Sequence, residues 1–357
     1  MIATIILGIF AVLFAVLANF KNFRFGLEIS FFLIFLFLSL RYNFGNDYQG
    51  YYRIFNDMTN SAQLDLNYKR FGQVIEPGWS ILCWLFKPYG FYWLIAFHSF
   101  LLCLAYYIFF KSYIPKYFYW LSILILIFDP TLLLIQLSAL RQALATILII
   151  LSYQYIIKKN LLLFLVCIAS ASLFHISALF FLPVYLLGYL KFQINNIAGV
   201  LIFILFLILT FYGKLLIPLV GNFISTYFER YDNYVVKEGE FGTGLRFAYY
   251  SLLLLLTLYV CKFQKNETAL ILNLSILSFF IFPIGLTIDM ARRFGYYFQP
   301  AILASFPILI NQIKLKPLKI VIVLIIIIFT LRSYYTFMNS DIFRNAYLTY
   351  GTIFSIN

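Results

Sequence analysis

Long runs of apolar residues recur along the whole chain and alternate with short polar connections. A helix that crosses a membrane needs about 20 mostly apolar residues, and twelve stretches reach or approach that length. These stretches are 2–19, 26–41, 90–110, 117–134, 136–157, 160–174, 176–190, 196–213, 245–261, 267–286, 294–312 and 319–337. The apolar segment 77–88 is too short to span, so we expect it to be re-entrant or interfacial. The pattern predicts an all-α polytopic membrane protein with about 12 transmembrane helices.

Composition supports this prediction, since 64% of the 357 residues are hydrophobic and only 11% are charged. Soluble proteins carry about 45–50% apolar and about 25% charged residues, so a soluble enzyme and a nucleic-acid binder are excluded. The four cysteines lie in apolar stretches without a CxxC pair, so the sequence indicates neither a disulfide framework nor a zinc site. We find no internal repeat, and we expect one transmembrane domain over 1–357.

The connections between the apolar stretches fall into two alternating groups. One group is short and rich in lysine, which predicts a cytoplasmic location. The other contains the long polar segments of about 42–76 and 214–244, and ten of the eleven arginines. Both chain ends are then expected outside. Because the planar guanidinium makes paired hydrogen bonds to phosphate, the outer arginines predict that the chemistry faces the extracytoplasmic side.

The first outer loop opens with an arginine, a glycine turn and a carboxylate among tyrosines. Arg41 lies where a span ends, and Asp47 and Tyr48 follow it. A carboxylate beside aromatic rings is typical of a sugar site, in which rings stack on the sugar and the acid accepts its hydroxyls. The alternative is an aromatic belt at the membrane interface with a snorkelling arginine.

Two further residues are candidates for acid–base chemistry. Glu76 precedes a Pro-Gly turn and the short apolar segment, so it either caps that segment or acts chemically. His175, at the outer end of two spans, could act as a general base or donate to a diphosphate. The alternative is a histidine at a helix end, bonded to a backbone carbonyl. His98 lies deeper in an aromatic span, and we interpret it as structural.

Arginines at the outer ends of several spans are the candidates for binding phosphate. Arg141, followed by Gln142, lies just inside the fifth span, where a charge is unfavourable unless it is paired or faces water. We favour phosphate binding, and the alternative is an ion pair with Asp129 or Glu76. The remaining candidates at the mouths of later spans are Arg246, Arg292 and Arg293, with Asp289 sharing the helix face of the last two.

Several motifs of other enzyme classes are absent from the sequence. There is no DxD pair, glycine-rich phosphate loop, HExxH or GxSxG. A membrane enzyme of this sequence is therefore expected to work without a nucleotide, a metal or another cofactor.

Four short motifs follow one another along the chain. They are Arg41-Tyr-x-x-Gly-x-Asp47-Tyr48-x-x-Tyr51, Glu76-Pro77-Gly78-Trp79, Ser138-x-x-Arg141-Gln142-x-x-Ala145 and Phe174-His175-x-Ser177. Together they resemble the EpsG family of polysaccharide polymerases, which overlaps the Wzy-type O-antigen polymerases. The resemblance covers nearly the full chain.

The resemblance implies a multi-pass glycosyltransferase of the bacterial inner membrane with a GT-C-like fold. Such enzymes transfer a growing glycan from undecaprenyl diphosphate onto the next lipid-linked repeat unit at the periplasmic or outer face. The implied partners are these lipid-linked units, membrane lipid and a chain-length regulator protein, with no nucleic acid.

Roles follow from this reaction. Asp47, Glu76 and His175 are the candidates for the base, in no fixed order, and the arginines are the candidates for holding the diphosphate. The alternatives are a flippase for the same lipid-linked unit, an O-antigen ligase and a membrane O-acyltransferase. The C-terminal segment 338–357 has no feature to which we can assign a role.

Overall fold

The structure is a computed structural model, and it describes residues 1–60, 64–70, 73–189, 194–216, 244–264, 266–287 and 292–355. The chain divides into two compact units. Unit 1 contains Met1–Ile156, Asn160–Leu182 and Pro317–Asn357, and unit 2 contains Ile157–Lys159 and Pro183–Lys316. The interpretation of 1–357 as a single transmembrane domain stays a prediction.

Unit 1 is helical, with two short antiparallel strand pairs. Its elements before Asp129 are α1 Ile2–Leu17, α2 Gly26–Ser39, β1 Arg41–Tyr42, α3 Tyr48–Asn60, β2 Lys69–Arg70, β3 Gln73–Val74, α4 Pro77–Phe86, α5 Phe91–Tyr113 and α6 Tyr119–Phe128. The later elements are α7 Leu134–Ser138, α8 Leu140–Ile157, α9 Leu161–Ser172, α15 Lys316–Met338, α16 Arg344–Tyr347 and β4 Gly351–Thr352. In its core, α1 packs against α2 and α6, and α2 packs against α5.

Unit 2 is built around one long helix. Within the described ranges, its helices are α10 Asn196–Tyr212, α11 Leu245–Cys261, α12 Asn266–Thr287, α13 Arg292–Gly295 and α14 Ile302–Gln312. The helix α12 packs against α10, α11 and α14. A 3₁₀ helix, Ile176–Gly188, runs from unit 1 into unit 2.

Six helices in the described ranges are long and apolar enough to cross a membrane, and six shorter apolar helices accompany them. The long helices are Lys21–Ser39, Phe91–Tyr113, Leu140–Ile157, Asn196–Leu215, Glu267–Leu286 and Lys316–Met338. This confirms an all-α multi-pass membrane protein. The count of about 12 spans and the GT-C-like fold stay predictions.

The helical path is interrupted between α6 and α8. Asp129 precedes Pro130, and a residue before proline is disfavoured in the α conformation, so α6 ends at Phe128. The Asp129 carboxylate then accepts a hydrogen bond from the backbone N–H of Thr131 at 3.0 Å, which stabilises the turn. The short helix α7 and a bend at Ala139 follow before α8 begins.

Side chains from other elements donate hydrogen bonds to backbone carbonyls of this broken region. The pairs are Tyr106 to Leu132 (3.4 Å), Tyr347 to Leu134 (2.8 Å), Arg41 to Leu137 (3.0 Å) and His98 to Leu140 (3.2 Å). Because the helix is interrupted here, side-chain donors supply hydrogen bonds to carbonyls in and beside the short helix α7, and these contacts stabilise the break. They also give the buried His98 a structural role.

The two ends of the described chain meet in unit 1. The amino group of Met1 donates to the carbonyl of Tyr347 at 3.0 Å, and β1 pairs with β4 through Arg41 opposite Thr352. Residues near both ends of the described chain therefore lie beside the end of α2.

Candidate functional site

The first motif forms the turn that leads into α3. Asp47 directly precedes this helix, and its carbonyl accepts the backbone N–H of Tyr51 at 2.9 Å. The backbone N–H of Asp47 donates to Oγ of Ser138 at 2.9 Å, which ties the turn to α7. The side chain of Asp47 is exposed at the amino end of a 13-residue helix, where the helix dipole favours a carboxylate.

Arg41 is almost completely buried, with 1% of its surface exposed. Its guanidinium donates to the carbonyls of Leu38 and Leu137 and, at 3.4 Å, to Oγ of Ser99. A snorkelling arginine would extend its guanidinium to water, whereas this guanidinium is buried. Its hydrogen bonds link α2 to α7, which favours a positioning role for Arg41. Direct substrate binding by Arg41 stays a prediction.

Tyr48 and Gln142, two further candidates for substrate binding, are buried as well. The ring of Tyr48 packs edge-on against Phe91 at 5.5 Å, and burial raises the pKa of its hydroxyl. That hydroxyl has no hydrogen-bond partner within the described ranges. Gln142 lies in the first turn of α8 beside Arg141, and its carbonyl accepts the Thr146 hydroxyl.

Arg141 forms an ion pair with Glu76. Pro77 begins α4, where its missing N–H removes no helical hydrogen bond, and this fixes Glu76 directly before the helix. Nη1 of Arg141, in the first turn of α8, donates to Oε2 of Glu76. The side chains are 21% and 10% exposed, respectively. Of the two partners that the sequence allowed, Glu76 is the one observed, whereas Asp129 bonds Thr131.

Tyr51 joins this ion pair to two helices. Its hydroxyl accepts from Nε of Arg141 at 3.5 Å, and the guanidinium carbon lies 5.9 Å from the ring centre. The same ring packs edge-on against Trp79 of α4 at 5.0 Å. The Nη2 group of Arg141 has no hydrogen-bond partner among the residues that the structure describes. The guanidinium is therefore held on one side and can bind a ligand with the other.

His175 is brought near this cluster by a close backbone contact. The N–H of Gly78 donates to the carbonyl of Leu173 at 2.8 Å, and a Cβ at Gly78 would lie 2.7 Å from that oxygen. Only glycine lets α4 approach the chain before His175 this closely.

The ring of His175 is oriented by its own motif. Nδ1 lies 2.7 Å from Oγ of Ser177 and 3.4 Å from the backbone N–H of Ser177. Because a backbone N–H can only donate, Nδ1 accepts, and the neutral ring carries its proton on Nε2. This tautomer makes Nε2 a hydrogen-bond donor.

The remaining arginine candidates lie in unit 2. Arg246 is exposed in the first turn of α11, after Gly244 in a left-handed conformation (φ 73°). Arg292 and Arg293 are exposed in α13, and Nη2 of Arg292 lies 3.4 Å from the carbonyl of Gly285. Asp289 and most of the outer loop 214–244 lie outside the described residues.

The described ranges contain no group of three His, Cys, Asp or Glu side chains that could hold a metal ion. All four cysteines are free. Independence of metal stays a prediction, because the reaction itself has to test it.

Comparison with protein families decides the relationship that the motifs suggested. The model of the EpsG family matches residues 26–352, which is nearly the whole chain. The chain belongs to the EpsG family. This family is associated with Wzy-type polymerases, so the EpsG-family chain is a polysaccharide polymerase-type membrane protein. No curated protein and no solved structure matches it.

Three residues of this EpsG-family site received no role from the sequence. Tyr51 and Ser138 stand inside the quoted motifs, and Tyr347 lies in the C-terminal segment. The spacing of four between Asp47 and Tyr51 was a signal, since it is close to one helical turn. Ser138 and Tyr347 gave none, because their contacts depend on the tertiary fold.

Proposed function

We propose that this protein polymerises lipid-linked oligosaccharide repeat units at the extracytoplasmic face of the bacterial inner membrane. The growing glycan leaves undecaprenyl diphosphate and joins a sugar hydroxyl of the next lipid-linked unit. The bond between the anomeric carbon and the diphosphate oxygen breaks, and a bond from the acceptor oxygen to that carbon forms. The observation that carries the proposal is the cluster of Glu76, Arg141 and Tyr51, which unites motifs far apart in sequence.

Arg141 is suited to hold the departing diphosphate. Its partly exposed guanidinium keeps Nη2 available, and positive charge at the leaving group stabilises the charge that develops as the glycosidic bond breaks. Glu76 neutralises the arginine before substrate binds and fixes its direction. Arg246, Arg292 and Arg293 of unit 2 stay candidates for binding phosphate on the sequence argument alone.

Among the three candidates for the base, we favour Asp47. Glu76 is occupied by Arg141, and the proton of neutral His175 lies on Nε2, which suits a donor rather than a base. Asp47 is exposed, and its main chain is fixed to α7 through Ser138. In this mechanism, the Asp47 carboxylate takes the proton of the acceptor hydroxyl, and His175 donates to a diphosphate oxygen.

The test uses a strain that lacks the gene and carries variants of Arg141. Arg141→Lys keeps a charge but loses the planar fork, so we expect a steep fall in glycan laddering at normal expression. Arg141→Ala should abolish the ladder and let single lipid-linked repeats accumulate. The matched control is Arg53→Ala, which removes an exposed arginine of α3 and should leave the ladder intact. A full ladder from Arg141→Ala would overturn the proposal.

A further inference from the structure

The C-terminal segment, for which the sequence suggested no role, closes over the loop that carries Asp47. The backbone N–H of Gly45 donates to the carbonyl of Ala346 at 3.0 Å, and the N–H of Ile353 donates to the carbonyl of Leu40 at 3.0 Å. Between these contacts, β1 pairs with β4. The loop 41–47 is therefore held by backbone hydrogen bonds from residues 346–353.

Tyr347 is the side chain that links this segment to α7. Its ring is fully buried and packs edge-on against Phe44 of the loop at 5.3 Å. Its hydroxyl donates to the carbonyl of Leu134 at 2.8 Å. A single side chain thus contacts the loop with its ring and the first residue of α7 with its hydroxyl.

The position of Asp47 depends on the same two elements. Its N–H donates to Oγ of Ser138, the last residue of α7, at 2.9 Å. Gly45 has φ 112°, and a Cβ there would lie 2.9 Å from the Leu137 side chain, so loop and α7 are in close contact. A shift of α7 relative to the loop would therefore displace the Asp47 main chain.

We infer that Tyr347 is a positioning residue, which sets the distance between the loop 41–47 and α7 and thereby the place of the Asp47 carboxylate. This inference rests on the proposed function, in which Asp47 receives the proton of the acceptor. A misplacement of about 1 Å in such a group is enough to reduce turnover strongly, although the residue that causes it touches no substrate.

The test compares Tyr347→Phe with Tyr350→Phe. Both variants remove one hydroxyl and keep the ring. The Tyr350 hydroxyl donates to the carbonyl of Phe37 at 2.7 Å, a contact with α2 that does not involve α7. Each protein is purified in lipid nanodiscs and assayed with a lipid-linked repeat unit, and amide hydrogen exchange is measured for the loop 41–48.

For Tyr347→Phe, we expect turnover to fall about tenfold, because the free energy of one buried hydrogen bond corresponds to a rate change of that size. The KM for the repeat unit should be unchanged. Exchange of the loop amides should rise, whereas Tyr350→Phe should keep both turnover and loop exchange near wild type. Equal effects of the two variants, or unchanged loop exchange in Tyr347→Phe, would overturn the inference. If the wild-type protein forms no polymer, the proposed function fails, and the exchange difference alone decides whether Tyr347 positions the loop.

Discussion

Removing Arg141 leaves the Glu76 carboxylate, which is only 10% exposed, without its cation. Loss of one partner from a fully buried ion pair lowers the free energy of unfolding by about 3–5 kcal/mol, because the remaining charge stays desolvated. Arg141 is 21% exposed, so water reaches part of this pair. We therefore expect Arg141→Ala to destabilise the protein by about 2–4 kcal/mol.

The double variant separates this effect from a general loss of packing. Glu76→Gln with Arg141→Met removes both charges and keeps most of the volume, so no unpaired charge is left. We expect it to be more stable than Arg141→Ala, with a coupling of about 1–3 kcal/mol in the double-mutant cycle. The control is Lys111→Ala, which breaks an exposed pair with Glu28 (3.7 Å; side chains 52% and 35% exposed). Its loss should cost less than about 1 kcal/mol.

The assay is the fraction of each variant that stays monodisperse in detergent after heating, at equal expression. Additive effects of the Glu76 and Arg141 substitutions would refute the ion pair as a stabilising contact. A stable Arg141→Ala protein with a full ladder would refute both its structural and its catalytic role. A stable Arg141→Ala protein that accumulates single repeats would leave only the role in substrate binding.

Four further predictions follow from the same geometry. Asp47→Asn should abolish the ladder, while Glu76→Gln should only weaken it. If Glu76→Gln abolished the ladder and Asp47→Asn only weakened it, Glu76 rather than Asp47 would be the base. Gly78→Ala should destabilise the protein by about 1–3 kcal/mol in the heating assay, because its Cβ would meet the Leu173 carbonyl; unchanged stability would contradict that contact. Polymerisation by purified protein should continue in excess chelator, and a loss that Mg²⁺ or Mn²⁺ restores would overturn the metal-independent mechanism. Reporter fusions should give alternating locations, and an opposite result would reverse the orientation. The expected sites are cytoplasmic after Lys159 and Lys316 and external within 55–70 and 225–240.

Hydropathy predicted the positions of the regular apolar helices, and was less accurate where the backbone departs from an α-helix. The predicted span 117–134 is shortened because α6 ends at Phe128, before Asp129-Pro130. The stretch 176–190 forms a 3₁₀ helix that includes Pro183. An average over many residues measures apolar content and is insensitive to one proline, so these breaks were not predicted.

Part of the site could be predicted from the sequence because a charged residue within an apolar stretch is unfavourable and therefore conspicuous. A charge such as Arg141 inside an apolar helix needs a partner, and Glu76 was one of two candidates. Choosing between them requires the tertiary fold, which brings α4 beside α8. The contacts of residues 346–353 with the loop 41–47 could not be predicted from the sequence. Most of them are backbone hydrogen bonds, which almost any residue type can form.

The central claim is tested most directly by one reconstitution. The purified protein is placed in lipid vesicles with a synthetic undecaprenyl-diphosphate-linked repeat unit as the sole substrate. We predict a ladder of lipid-linked glycans that grows by one repeat unit at a time, with release of one undecaprenyl diphosphate for each bond formed. Movement of the lipid-linked unit across the bilayer without any longer product would instead identify a flippase and contradict the account.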